Sequence, residues 1–237
     1  MQLYLLRIAT MGENTPIPCY LIRTDDGWTI VIDSGFSPDM VVAAQGAGYQ
    51  GPPIRDFVSV VDQLAALGVR PEAVDTLVAT HLDPDHAGLT DAFPNAEIVI
   101  QRAQLEAARA EVHPRFAMTR ARWDAPNLRY RLLDGDTELV PGVTLIETSG
   151  HVPGHQSVLV RLPQTGPVLL AIDAVGSAGQ ADPEMRETRP ADLDDAAARA
   201  SARKLRDLEA REGVVLTVYG HDDAQWQTLR LAPEYYE

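Results

Sequence analysis

Four side chains that can bind a metal stand within six residues near the middle of the chain: His81, Asp83, Asp85 and His86. They directly follow the apolar run 74–79, which is typical of a buried strand. Side chains in a loop at the carboxyl end of a sheet can converge on one point. Imidazole and carboxylate are ligands that zinc, iron and manganese accept. The stretch therefore indicates a metal site.

A structural role for the same stretch is the alternative. Asp83 followed by Pro84 is a favourable N-cap and first helical position, and Asp85 would suit the positive end of a short helix. Taken alone, the stretch does not decide between the start of a helix and a metal site. The decision depends on whether other strand ends supply more ligands.

Three more residues of these types, His151, Asp173 and His221, each follow an apolar run that predicts a strand. An unpaired carboxylate at the end of a buried strand is very unfavourable, so Asp173 needs a partner. One shared polyvalent site explains the whole set better than separate capping or hydrogen-bonding roles do.

This ordered set resembles the signature of the metallo-β-lactamase superfamily. The signature is His-x-His-x-Asp-His after one strand, then a His in a glycine-rich turn, then an Asp and a last His, each at a strand end. The match covers almost the whole chain and includes Asp-Ser-Gly at 33–35, which is similar to an early Asp-Thr-Gly turn of the family. Within the superfamily, the chain is most similar to the N-acyl-homoserine lactone lactonases, in segments 14–22, 134–136, 150–157 and 220–222.

The resemblance implies a centre with two divalent metal ions, for which zinc is the expected metal. Its ligands would be His81, residue 83 and His151 for the first ion, Asp85, His86 and His221 for the second, and Asp173 as the bridge. A hydroxide shared by the ions would attack a carbonyl, with Asp85 as the catalytic proton shuttle. His155 would have a structural role, and His113 has no counterpart in the family.

Two positions depart from the family pattern. Asp83 replaces the second histidine of the motif, which adds a negative charge and moves the metal preference from zinc toward iron or manganese. Gly176 stands where many of the lactonases carry a tyrosine that helps hold or protonate the substrate. This second departure weighs against a homoserine lactone more than against hydrolysis.

We therefore predict a metal-dependent hydrolase that opens a lactone or cleaves a related carboxylic ester, with an N-acyl-homoserine lactone as the first candidate substrate and quorum quenching as the corresponding role. The alternatives are a thioesterase of the hydroxyacylglutathione hydrolase type, an iron-binding redox protein of the flavodiiron type, and a non-catalytic member. A flavodiiron protein also needs a flavin domain, for which 237 residues leave no room.

Composition narrows the class of partner. A chain of 237 residues, 45% of them hydrophobic, predicts one globular domain over residues 1–237. Its net charge of −14 disfavours nucleic acid and anionic membranes. No apolar run approaches the roughly 20 residues of a membrane span, and the first residues lack the pattern of a signal peptide. We expect a cytoplasmic protein with a small-molecule substrate, and the sequence leaves a homodimer open.

Clusters of strands separated by single helices predict an α/β (α+β) fold, a four-layer αββα sandwich of the metallo-β-lactamase type. Helical periodicity is clear over 54–67, and an alanine-rich helix is expected over 191–211. Two irregular segments, 36–53 and 111–127, are expected to shape a substrate pocket. The second contains three arginines and Trp123, which would either line that pocket or fill the space beneath the loop.

Overall fold

The computed structural model describes residues 1–237 and contains two β-sheets. The strands of the first sheet are β1 (Gln2–Met11), β2 (Thr15–Arg23), β3 (Thr29–Ile32), β4 (Ile54–Arg55), β5 (Thr76–Val78), β6 (Glu97–Gln101) and β7 (Arg129–Leu133). Their order across the sheet is β4-β1-β2-β3-β5-β6-β7. The half from β3 to β7 is parallel, so β3 and β5 end at the same edge of the sheet.

The second sheet contains the remaining strands, β8 (Thr137–Val140), β9 (Val143–Glu147), β10 (Gln156–Leu162), β11 (Gly166–Ile172) and β12 (Leu216–Tyr219). Their order is β12-β11-β10-β9-β8. β10 is antiparallel to both β9 and β11, and β12 is parallel to β11. The strands β9, β11 and β12 therefore all end at one edge, which is where three of the predicted ligands follow.

Six α-helices complete the fold: α1 (Pro38–Ala44), α2 (Val60–Ala66), α3 (Arg102–Arg109), α4 (Arg120–Trp123), α5 (Asp195–Glu212) and α6 (Asp223–Trp226). Short 3₁₀ segments lie at Pro71–Ala73, Thr90–Ala92, Pro114–Thr119 and Ala178–Gln180. None of these helices combines the length and the apolar character that crossing a membrane requires.

Three apolar clusters separate four layers. The middle cluster joins side chains of both sheets, such as Leu5 and Ile32 with Leu170. A larger cluster lies between the first sheet and the helices on its outer face, where Leu64 and Leu105 are buried. The third packs α5 against the second sheet. Because each sheet buries both faces, its strands are nearly continuous apolar runs, and the predicted four-layer αββα sandwich is confirmed.

The predicted helix over 54–67 is only partly correct. Residues 54 and 55 form β4, because they pair with Thr10 and Met11 at the edge of the first sheet. The helix α2 begins after Ser59, whose hydroxyl accepts a hydrogen bond from the backbone N–H of Asp62. The apolar spacing that indicated one long helix is therefore shared between an edge strand and a two-turn helix.

The predicted helix over 191–211 begins later than the sequence indicated. Its N-cap is Asp194, whose carboxylate accepts a hydrogen bond from the backbone N–H of Ala197. Asp192 therefore lies in the loop before α5 and not in its first turn. The segment 36–53 also differs, because Ser37 caps the two-turn helix α1 within it.

Trp123 belongs to the core and does not line a pocket. Its side chain is fully buried in the cluster beneath the first sheet, and its indole N–H donates to the carbonyl of Phe116 at 3.0 Å. Phe116 is likewise fully buried. Among the large apolar residues of this segment, Val112 and Met118 stay exposed. Of the two roles expected for Trp123, filling the space beneath the loop is the correct one, and lining a substrate pocket is wrong.

We predict that Trp123→Ala lowers the free energy of unfolding by about 3–5 kcal/mol, because it leaves a large cavity in a packed core. The change is measured by urea denaturation of the metal-loaded protein. Relative KM values among substrates should stay the same, and a selective change in KM would return Trp123 to the pocket.

Candidate metal centre

The structure brings all seven predicted ligands together. They form three overlapping groups in which the candidate ligand atoms lie within 4.8 Å of one another: His81 with Asp83 and His151, Asp85 with His86 and His221, and His81 with His86 and Asp173. Asp173 joins the groups, since its Oδ1 lies 2.8 Å from Nε2 of His221 and its Oδ2 lies 3.4 Å from Nε2 of His151. This is the arrangement expected of two ions that share one carboxylate.

Each of the four clustered imidazoles is oriented through its Nδ1 atom. His86 is hydrogen-bonded to Asp33 at 2.8 Å, and His151 to Asp192 at 3.0 Å. His81 is bonded to the hydroxyl of Thr80, and His221 to the carbonyl of Pro16. With Nδ1 engaged, each ring directs Nε2 toward the cluster, as metal-binding histidines do.

Unpartnered polar atoms support a metal at this position. Nε2 of His81, Nε2 of His86 and Oδ1 of Asp83 are buried and have no hydrogen-bond partner. Leaving such groups unpaired is unfavourable, and buried polar atoms in proteins almost always have a partner. Imidazole nitrogens and carboxylate oxygens in this combination fit divalent zinc, iron or manganese. The donors present therefore fit a centre for two metal ions.

Asp33 ties the first sheet to the ligand loop. Its Oδ1 accepts from the backbone N–H of Thr80 at 2.8 Å, and its Oδ2 accepts from the Thr80 hydroxyl at 2.7 Å and from Nδ1 of His86. The residue is 1% exposed and adopts a left-handed conformation with φ of 59°. That conformation is unfavourable for a residue with a side chain, so the surrounding contacts must hold it.

A strained turn directs Asp173 into the cluster. Ile172, the last residue of β11, has φ of 54°, which is a rare conformation for a β-branched side chain. The register of β11 against β12 shifts at the same point. Gly220 lies directly against this turn, because a Cβ there would be 2.7 Å from the carbonyl oxygen of Ile172. Its lack of a side chain lets the loop of His221 approach Asp173.

A buried ion pair supports His151 from behind. Asp192 accepts from Nδ1 of His151, and its other oxygen accepts from Arg186 at 2.8 Å. The side chains of Asp192 and Arg186 are fully buried. Sequence reasoning placed Asp192 in a helix without chemistry, and the order of the chain gave no sign of this contact.

The two histidines outside the predicted set have different surroundings. His155 uses both ring nitrogens, since Nδ1 is bonded to Thr148 and Nε2 accepts from the backbone N–H of Asp173. A structural role for His155 follows. His113 is half-buried, and its Nδ1 accepts from the Nε–H of Arg115 at 3.2 Å.

Asp83 faces the cluster and does not cap a helix. Its Oδ2 lies 3.0 Å from Nε2 of His151 and 2.8 Å from Nη1 of Arg115. Only its carbonyl oxygen takes part in the following turn, by accepting from the backbone N–H groups of His86 and Ala87. The residues after Pro84 form that single turn and not the short helix expected from the sequence.

The guanidinium of Arg189 lies against Gly176, the position at which many of the lactonases carry a tyrosine. A Cβ at Gly176 would lie 3.1 Å from Nη1 of Arg189. The same nitrogen donates to the carbonyl of Asp173 at 3.1 Å, and Nη2 of Arg189 lies 3.6 Å from the Asp173 carboxylate. A guanidinium therefore flanks the predicted bridging residue. Sequence reasoning missed Arg189 and Arg115, because no spacing rule connects them to the motif.

Charge pairing sets the protonation of the cluster. Burial disfavours the charged form of His86, but Asp85 and Asp33 raise its pKa to about 10. Burial acts likewise on His151, and Asp173, Asp192 and Asp83 raise its pKa to about 9. Conversely, burial and the neighbouring His151 lower the pKa of His155 to about 3, so that ring stays neutral.

A cavity of about 540 Å³ opens beside the cluster. Asp83, Pro84, Asp85 and Arg115 contribute to its lining, and the other lining residues are mainly apolar, among them Met11, Phe36, Met40, Tyr49, Ile54 and Met118. Both irregular segments contribute to this wall, as the sequence indicated. The cavity can hold an apolar chain with one end at the carboxylates.

Comparison with known proteins points to one family. The family model described as the metallo-beta-lactamase superfamily matches residues 12–221. An N-acyl homoserine lactonase of a Bacillus species is 35% identical over 236 residues, covering 95% of this chain and 90% of the relative. The N-acyl homoserine lactonase AttM of Rhizobium johnstonii is 37% identical over 235 residues, covering 93% of this chain and 87% of the relative.

Solved structures agree with these relatives. A variant of Bacillus thuringiensis AiiA with N-decanoyl-L-homoserine bound at its active site superposes with a TM-score of 0.86 at 30% identity, covering 99% of this chain and 98% of that one. An N-acyl homoserine lactone hydrolase with N-hexanoyl-L-homoserine at its catalytic metal centre superposes with a TM-score of 0.85 at 30% identity, with the same coverage.

We predict that zinc added to the metal-free protein at pH 7.5 releases at least two protons, one each from His86 and His151, because a metal ligand must give up its proton. The release is measured with a pH indicator in weakly buffered solution. Binding should tighten as the pH rises toward 9 to 10. If no proton is released, these two histidines are already neutral without metal.

The stability of the metal-free protein should depend on the same two histidines, but it should fall as the pH rises, whereas zinc binding should tighten. The folded pKa values of His86 and His151 lie above the ordinary 6.5, so their pairing stabilises the fold fully below pH 6.5. That contribution is lost as the pH rises through about 9 to 10. A melting temperature that stays constant from pH 7 to 10 would contradict this assignment.

Proposed function

Because the chain belongs to the metallo-beta-lactamase superfamily, we propose that it is a metal-dependent hydrolase that opens the ring of N-acyl homoserine lactones. One observation carries the proposal: seven side chains that can bind metal cluster beside a mainly apolar cavity, which two of them, Asp83 and Asp85, line. The relatives that match over nearly the full chain are N-acyl homoserine lactonases. In an N-acyl homoserine lactone, the lactone ring would lie at the metal-binding cluster and the acyl chain would lie in the apolar cavity.

Two divalent ions fit the cluster, and zinc is the metal we propose. His81, Asp83 and His151 would hold one ion, Asp85, His86 and His221 the other, and Asp173 would bridge them. Oxygen ligation by Asp83 leaves iron or manganese as alternatives. When bound, the ions lower the pKa of a water molecule and polarise the substrate carbonyl.

Asp85 is the residue we propose for proton transfer. Its carboxylate lines the cavity, its side chain is 17% exposed, and its Oδ2 lies 3.6 Å from Nε2 of His86. A carboxylate there can take a proton from the attacking water and deliver it to the leaving alkoxide. Arg189 lies beside Asp173, against the position where the family tyrosine is missing, and is not among the residues that line the cavity.

The charge of the molecule supports a small neutral substrate. A net charge of −14 repels nucleic acids and anionic lipids, whereas an acyl homoserine lactone carries no charge. Opening such a lactone would remove a signalling molecule, which is the role called quorum quenching. We place this activity in the cytoplasm, where a freely diffusing lactone is accessible.

We predict that His86→Ala and His221→Ala each abolish lactone hydrolysis, because each removes a ligand of the second ion. Each should also lose about one bound metal ion and lower the melting temperature, since metal binding stabilises the folded state. Activity is measured on lactone, ester and thioester substrates with equal acyl chains, together with metal content. Full activity in both variants would refute the ligand assignment, and a preference for the thioester would replace the proposed substrate class.

We predict that Met118→Asn raises KM for decanoyl substrates more than for butanoyl substrates and leaves kcat nearly unchanged. Each methylene buried against the cavity wall contributes about 0.8 kcal/mol, so a decanoyl chain, which buries more methylenes than a butanoyl chain, should lose more binding free energy. Met185→Asn is the matched control, since Met185 is also exposed but lies away from the cavity. An equal rise in KM for both chain lengths would place the acyl chain elsewhere.

A further inference from the structure

The residue that departs from the metal-binding motif has an equally unexpected neighbour. Oδ2 of Asp83 lies 2.8 Å from Nη1 of Arg115, while it also approaches Nε2 of His151 at 3.0 Å and Nε2 of His81 at 3.7 Å. The same carboxylate oxygen therefore faces the imidazoles on one side and a guanidinium on the other. Both partners of the ion pair are largely buried, with side-chain exposures of 10% and 14%.

The guanidinium of Arg115 is fixed from three sides. Nη1 bonds Asp83, Nη2 donates to the carbonyl of Ala191 at 2.7 Å, and Nε donates to Nδ1 of His113 at 3.2 Å. Arg115 lies in the 3₁₀ segment Pro114–Thr119, whose N-cap is His113. The planar fork of arginine can make these bonds together with little further loss of freedom. The cation is thus pre-placed beside Asp83 and is not a mobile surface group.

We propose that Asp83 and Arg115 act as one unit, in which Arg115 positions the carboxylate on the first metal ion and cancels its charge. This inference rests on the proposed two-metal hydrolase. A neutral imidazole at residue 83 would bring no charge, and a carboxylate alone would bring −1. The carboxylate with its guanidinium again sums to zero, so the ion pair supplies an oxygen ligand with the formal charge of a histidine.

The pairing changes the effect expected from Asp83 alone. An uncompensated carboxylate would make the first ion a weaker Lewis acid, because a ligand charge offsets the charge of the ion. At a low effective dielectric constant, a cation in contact with the same oxygen acts strongly on that site. Arg115 therefore restores the Lewis acidity of the first ion. It is a positioning residue, since it acts through Asp83.

The test is a cycle of substitutions at the two positions, with the zinc dissociation constants as the readout. Arg115→Met in the otherwise unchanged protein should raise the dissociation constant of one of the two zinc ions by roughly ten-fold or more. Loss of a group that orients a metal ligand typically has an effect of this size. The other ion should bind as before. Zinc affinities come from competition with a chromophoric chelator, and cobalt(II) absorption reports the occupancy of each site independently of activity.

The same substitution in an Asp83→His background separates charge compensation from a purely structural role. With a neutral ligand at 83, the guanidinium has no charge to cancel, so Arg115→Met should leave zinc binding unchanged or tighten it. If Arg115→Met weakens zinc equally in both backgrounds, Arg115 only braces its segment and the proposal is wrong. Arg120→Met is the matched control, because Arg120 begins the following helix α4 and pairs with Glu111 and Asp124 instead of Asp83.

A second variant covers a failure of the methionine variant to fold. Arg115→Lys keeps the positive charge, so it should retain most of the affinity for the first ion, and a loss of affinity of roughly ten-fold or more would overturn the proposal. Failure of the proposed function looks different. If the protein without substitutions binds two ions but hydrolyses no lactone, the lactonase assignment is refuted. The zinc dissociation constants of the variants at positions 83 and 115 still decide the role of Arg115.

Discussion

The buried carboxylate of Asp33 is the constraint on which the rest of the site depends. It lies at the end of one parallel strand, accepts two hydrogen bonds from Thr80 at the end of the next, and orients His86. Burial raises the pKa of its carboxyl, with His86 opposing the shift. This one side chain therefore fixes how the loop of four predicted ligands leaves the first sheet. These hydrogen bonds also hold the backbone of Asp33 in its unfavourable left-handed conformation.

The second sheet meets this loop with ligands of its own. The strands β9, β11 and β12 run in the same direction, so His151, Asp173 and His221 follow them at one edge. Each ligand is held by a contact behind it, from Asp192, from the turn at Ile172 and Gly220, or from the carbonyl of Pro16. The predicted centre thus lies between two sheets and draws rigidity from both.

The layers and the cluster could be predicted from the sequence, because apolar runs define buried strands and ligands at strand ends share an edge. The remainder depends on long-range contacts that no local pattern encodes. Asp192 has the composition of a helix start, yet its carboxylate bonds an imidazole 41 residues away in sequence. The sequence around Trp123 does not distinguish a residue that lines a pocket from one that fills the core. Arg115 stands 32 residues from Asp83, so no local spacing connects the two. In each case, side-chain identity was informative only after the fold had placed its neighbours.

One short segment carries both the cavity wall and the cation at the centre, since Arg115 and Met118 lie within a single 3₁₀ stretch. Substrate range and metal chemistry are consequently not independent traits in this protein. A lineage adapting Met118 to a new chain length must preserve the backbone that seats Arg115, so accessible mutational paths are fewer than the open cavity implies. Diversification is freer at Met40 and Tyr49, which also line the cavity but belong to a segment that holds none of the charged groups of the centre.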